Sequence, residues 1–181
     1  MPEITIVAPG RICLFGDHQD YLGLPVIACA IDRQIILSAE ENTNQILHII
    51  LPDIASKRII PISETFEIIE PQDYFASAIR VVKRYGCYPS KGYTISLKSS
   101  IPINAGVSSS SALVVAWVHF LLNAFGCDQP VTPQLIAQLA YEAEVIEHDA
   151  PGGRMDQYTS AIGNIIYIDT AQDFTFRTIG T

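Results

Sequence analysis

The chain has 181 residues, 49% of them apolar, enough for one domain with a sizeable buried core and too many for a disordered segment. Its formal net charge of −8 disfavours nucleic acid or an anionic membrane surface as the main partner, because both attract cationic faces; a small ligand in a locally basic pocket is still compatible with it. Cys13, Cys29, Cys87 and Cys127 form no C-x-x-C pair and show no His spacing suited to zinc, and nothing at the N-terminus reads as a signal peptide, so free thiols in a reducing cytoplasm are expected.

Ile4 to Ala8 is a β-rich run that stops at Pro9-Gly10, predicting an opening strand and then a polar loop from Gly10 to Gly23. Val26 to Ala39 predicts a long strand, Gln45 to Leu51 a second, and Ile59 to Ile62 a short third. Pro71 is expected to open a helix whose face carries Phe75, Ile79 and Val82 and which ends near Gly86. Gly92 to Lys98 alternates, with Tyr93, Ile95 and Leu97 on one side, the pattern of a half-buried strand. The apolar block from Ala112 to Phe125 falls short of the roughly 20 residues that a membrane helix needs, so it reads as a buried helix stopped at Gly126. Thr132-Pro133 supplies an N-cap and first-turn proline for a helix reaching about Glu147, with Leu135, Ile136, Leu139, Ala143 and Ile146 as its core face. Asp149 to Gly153 is a loop, and Asn164 to Asp169 and Phe174 to Thr178 predict closing strands. Strands and helices without steady β-α alternation indicate an α+β fold rather than a doubly wound sheet.

Three loops carry candidate chemistry. Ile101 to Ala112, with glycine before four serines and a helix after them, can cradle a phosphate with backbone N–H groups and the positive end of the helix dipole; a serine-rich N-cap and turn is the plain alternative. It is neither a G-x-x-x-x-G-K-[ST] nor a G-x-G-x-x-G motif. Pro9 to Gly23 packs an arginine, two carboxylates, a histidine and a tyrosine between glycines, a set able to hold several hydroxyls, or else ordinary solvated turn chemistry. Asp149 to Gln157, preceded by Glu142, Glu144, Glu147 and His148, offers carboxylates for Mg²⁺ or for proton acceptance, although acidic decoration of a helix explains most such glutamates.

Together the three loops resemble the GHMP kinases, the family of galactokinase, homoserine kinase, mevalonate kinase and phosphomevalonate kinase. Residues 8–23, APGRICLFGDHQDYLG, are similar to the galactokinase signature APGR-x-N-L-I-G-E-H-x-D-Y-x-G. Residues 102–112 resemble the phosphate loop P-x-G-x-G-L-[GS]-S-S-[AS], and residues 144–157 the segment E-H-x-x-x-G-x-x-C-G-x-M-D-Q. The resemblance implies a ribosomal protein S5 domain 2-like N-terminal domain over residues 1–181, with a mixed sheet packed against helices. The family's C-terminal domain and third, glycine-rich motif are expected to be absent, and the face they would cover is expected to drive self-association.

Residue by residue, the resemblance implies that Asp156 is the catalytic carboxylate and Arg11 its neighbouring cation, and that Gly106, Val107, Ser108, Ser109 and Ser110 wrap the phosphates of ATP. It implies that Ser110 and Glu144 hold Mg²⁺, Glu144 standing twelve residues before Asp156, and that Asp17, His18, Asp20 and Gly153 bind a sugar or small polyol. Four positions depart from the pattern: Cys13 for asparagine, Asp17 for glutamate, Asn104 for glycine and Gly152 for cysteine. An ATP-dependent, cytoplasmic sugar kinase is the first reading; a GHMP kinase for a mevalonate-like alcohol and a non-catalytic sugar- or ATP-binding sensor are the others.

Overall fold

The computed structural model describes residues 3–102, 105–171 and 174–180, so Ile103 and Asn104 of the serine-rich loop lie outside the described residues. The long β-branched run forms β2 (Val26–Asn42), the spine of the sheet. β1 (Ile4–Phe15) lies antiparallel along one edge of β2, and the other edge is divided between β5 (Gly92–Ser99) and β6 (Ile165–Asp169). Beyond β5 come β3 (Ile46–Leu51) and β4 (Ser56–Pro61), and beyond β6 comes β7 (Thr175–Gly180). The β3–β5 pair is parallel and the other pairs are antiparallel, which gives the mixed sheet and α+β class expected from the sequence.

One face of the sheet is buried. Ile6, Ala8, Leu37, Ile49, Ile95 and Leu97 pack under α2 (Ser109–Phe125), which is apolar on nearly every side and runs through the middle of the core with Trp117, Phe120 and Leu121 fully covered. The remaining helices, α1 (Tyr74–Lys83), α3 (Pro133–Tyr141) and α4 (Met155–Ile162), pack around it. Among the described residues no helix is long and apolar enough to cross a membrane.

The structure corrects four expectations. β1 does not stop at Pro9-Gly10 but continues to Phe15, because both residues sit at an irregularity where the ladder shifts rather than ends. The helix after Pro71 opens at Tyr74, since the Asp73 carboxylate caps it by accepting the Ala76 N–H at 3.1 Å. α4 lies where no helix is predicted, between the loop ending at Gly153 and the strand starting at Asn164. Ile146 is 55% exposed instead of facing the core. The last correction has a local cause: after Tyr141 the helix widens into a π-turn, Glu142–Ile146, closed by Glu147 N–H donating to the Glu142 carbonyl at 2.9 Å. The inserted residue rotates everything after it, so a 3.6-residue period carried past Tyr141 selects the wrong face.

Candidate active site

β1 shifts register against β2 between Pro9 and Arg11 and again between Cys13 and Phe15. Such a bulge re-aims the side chains beside it. Gly10 allows the serine-rich loop to lie directly on the strand: a Cβ there would sit 2.9 Å from the Val107 carbonyl oxygen, which instead accepts the Arg11 N–H at 3.2 Å. α4 docks at the same place, the Ser160 hydroxyl donating to the Pro9 carbonyl at 2.7 Å. Asp156 precedes Ser160 by one helical turn and shares its face, so it is delivered to Arg11.

The Arg11 guanidinium donates through Nε and Nη2 to both carboxylate oxygens of Asp156, at 2.7 and 2.8 Å, and through Nη1 to the Gly106 carbonyl at 2.7 Å. The pair is well shielded, the two side chains being 13% and 27% exposed. A bidentate fork of this kind fixes orientation as well as charge. Ser108 also donates its hydroxyl to Asp156. It occupies the N-cap position of α2 in the left-handed region, φ 57°, and its side chain makes no capping hydrogen bond. The N-cap reading of the serine run therefore does not describe Ser108, whose hydroxyl is turned to the carboxylate.

Around this fork lies a cleft of about 290 Å³ lined by Arg11, Asp17, His18, Asp20, Ser110, Glu144, Gly153 and Asp156, drawn from all three loops. Asp17 and His18 stand open to solvent, their side chains 69% and 79% exposed. Asp20 is buried, with Oδ2 accepting the Met155 N–H at 3.2 Å and lying flat against Gly153. Ser109 faces away from this cleft into an apolar cavity of about 280 Å³ walled by Ile35, Leu51, Ile54, Leu97 and Leu113; Ser110 and Tyr74 line both spaces.

The π-turn sorts the glutamates. Glu147 is taken up in the scaffold: burial alone would raise its pKa, but the Arg80 and Arg84 guanidiniums outweigh burial and hold it low. Glu142 accepts the Tyr85 hydroxyl and the Gln138 amide, each at 2.8 Å. Glu144 alone of the three lines the cleft, and burial raises its pKa, countered by hydrogen bonds from Gln157, Ser111 and Ser110 and reinforced by the nearby Asp156 charge.

With its pKa raised, folded Glu144 holds its proton more tightly than unfolded Glu144, so its contribution lowers stability as the pH rises from about 4.3, the ordinary glutamate value. In metal-free protein, Glu144→Gln is expected to melt above the wild type at neutral pH and to lose that advantage as the pH falls below about 4. Calorimetry at a series of pH values checks this, and an equal or lower melting temperature at neutral pH refutes it.

Tyr74, the Ser108–Asp156 contact and the Gln157–Glu144 contact are not legible in the three loops as sequence. Gln157 stands in the M-D-Q segment, which is the one signal that could have drawn attention to it; Tyr74 lies in no motif.

The model for the GHMP kinases N-terminal domain matches residues 73–164, and one for a galactokinase galactose-binding signature matches residues 1–40. A mevalonate kinase of Thermococcus sibiricus is 35% identical over 174 residues, covering 91% of this chain and 51% of that protein. A galactokinase of Thermotoga maritima is 32% identical over 176 residues, covering 92% and 47%. The chain spans about half the length of the curated relatives it matches. Among solved structures, Lactococcus lactis galactokinase complexed with galactose superimposes with a TM-score of 0.85 at 22% identity, over 98% of this chain and 47% of that one. Methanococcus jannaschii mevalonate kinase gives 0.83 at 22%, over 99% and 56%. These two likenesses speak for the fold, and the matched N-terminal model, which spans both the α2 loop and Asp156, speaks for the kinship: this chain belongs to the GHMP kinase family.

Proposed function

We infer that the chain is the phosphate-binding and substrate-loop portion of a kinase that transfers the γ-phosphoryl group of ATP to a hydroxyl of a sugar or related polyol. The observation that carries this reading is the Arg11–Asp156 fork at the meeting point of three loops, beside the N-terminus of α2. Asp156 can accept the proton of a substrate hydroxyl within hydrogen-bond reach, while Arg11 holds that carboxylate in a fixed orientation and offsets negative charge gathering on the transferred group. The loop from Gly106 to Ser110 supports phosphate binding, and the apolar cavity beyond Ser109 suits the flat face of a nucleobase.

The donor set fits Mg²⁺. One buried carboxylate, Glu144, with the Ser110 hydroxyl beside it suits a hard cation that retains waters and shares its other positions with phosphates; among the described residues no group of three acidic, His or Cys side chains forms a protein-only cage. Bound there, the ion would neutralise phosphate charge. Asp17 and His18, exposed at the mouth of the cleft, and Asp20 with Gly153, at its floor, are the groups we assign to substrate hydroxyls. The exposed apolar side chains of Phe15, Leu22 and Leu24 near the substrate loop are consistent with a covered or self-associating face, and a cytoplasmic site of action goes with the same reading.

A mevalonate-like alcohol is the second reading, favoured by the similarity to the mevalonate kinase of Thermococcus sibiricus; the one-methylene shortening at Asp17 bears on galactose itself rather than on sugar phosphorylation. The test is ATP consumption by the intact protein against hexoses and mevalonate in parallel, with the product identified by ³¹P NMR. Turnover on mevalonate alone would replace the sugar reading, and turnover on neither would leave a sensor. For the sugar reading, His18→Ala is expected to lose roughly tenfold or more in hexose affinity by calorimetry, on the order of 1.5–3 kcal/mol for a charge-assisted hydrogen bond. A change under twofold for every hexose would make the loop structural.

A further inference from the structure

Gln157 follows Asp156 on the first turn of α4, is only 3% exposed, and lines the acidic cleft. Its Nε2 donates to Glu144 Oε2 at 2.7 Å, while its Oε1 is buried with no hydrogen-bond partner among the described residues. Buried side-chain oxygens are nearly always paired, and an apolar side chain of the same size would fill this space without stranding an acceptor. An amide at this place is therefore half used: it grips Glu144 with one end and offers a lone pair with the other.

A ligand bound in the cleft can supply the missing donor. A substrate hydroxyl is one source and a water held by a cation is another. The neighbourhood favours the second, because the carboxylate that Gln157 grips is Glu144, the group assigned to the metal, and not Asp156, the group assigned to the hydroxyl. We propose that Gln157 is a positioning residue of the metal site: its amide N–H fixes which oxygen of Glu144 is left to face the cation, and its carbonyl accepts a hydrogen from a water that the cation retains. The proposal rests on the kinase reading. It needs no bond-making step by Gln157.

The experiment uses Mn²⁺ as the probe and the intact protein with a non-hydrolysable ATP analogue, following free Mn²⁺ by electron paramagnetic resonance and bound water by proton relaxation. Gln157→Leu is expected to weaken Mn²⁺ about tenfold and to change the relaxation of bound water. Analogue affinity in EDTA should stay within twofold. Gln157→Met, a closer match in length, is expected to do the same and decides the matter if the leucine variant does not fold. Mn²⁺ affinity within twofold of wild type in the folded variants overturns the proposal. So does a loss confined to substrate affinity, which would give the oxygen to a substrate hydroxyl. If the wild-type protein binds no Mn²⁺ alongside the analogue, the kinase reading fails and takes this inference with it, an outcome distinct from a variant that merely equals the wild type.

Discussion

Asp156→Asn is expected to lower kcat by roughly 10³-fold while leaving the affinity for a non-hydrolysable ATP analogue within about twofold. Placement of a general base contributes on the order of 10²–10⁴ in rate, and here the same carboxylate also neutralises Arg11 and accepts the Ser108 hydroxyl. An asparagine keeps the volume but presents an NH₂ to a guanidinium that can only donate, so one arm of the fork becomes donor against donor. On the kinase reading the substitution thus removes the proposed proton acceptor and misaligns the cation at once. Steady-state kinetics and calorimetry on the same preparation measure the two quantities. An unchanged kcat would dismiss Asp156 from the chemistry, and a parallel loss of analogue binding would make it a structural clamp.

Gly153→Ala is expected to cost about 1–3 kcal/mol of stability and to raise the KM for substrate at least tenfold, as overpacking of a close contact does. A methyl at this position would lie 1.9 Å from Asp20 Oδ2, closer than any real contact, and that oxygen is pinned to the Met155 N–H. Either Asp20 leaves the start of α4 or the Gly152–Gly153 turn lifts away from the cleft. Gly152→Ala is the control: its methyl would meet a Val145 methyl at 3.3 Å, a neighbour able to give way. If thermal melts and kinetics find the two variants alike, the contact between Asp20 and Gly153 has no part in shaping the site.

Much of the fold could be read from residue patterns because its elements obey one period each. Alternation in Gly92 to Lys98 placed Tyr93, Ile95 and Leu97 on the buried side, and Thr132-Pro133 marked the start of α3, where the threonine oxygen does accept the Leu135 N–H. What escaped was decided by tertiary contact. Pro9 and Gly10 carry every local sign of a chain break, yet β2 and the Val107 loop hold them in the ladder. α4 is short, and three of its buried residues are the polar Gln157, Thr159 and Ser160, so no apolar stripe announces it. The π-turn defeats any fixed period. At the site, residue types and motif order pointed to the loops that the fold brings together, whereas Tyr74, reaching the cleft from α1, could be placed only by the packing of that helix.

The fork between Arg11 and Asp156 joins residues 145 positions apart, and the bond from Met155 to Asp20 spans 135. Each closes a long loop, and closure of such loops carries an entropic cost that nearby contacts repay only after they have formed. On a ribosome Arg11 emerges long before Asp156, and the fork must wait for α4. The acidic cleft is therefore assembled only when α4 returns to the first strand. A molecule that has this fork has already brought its first strand to α4.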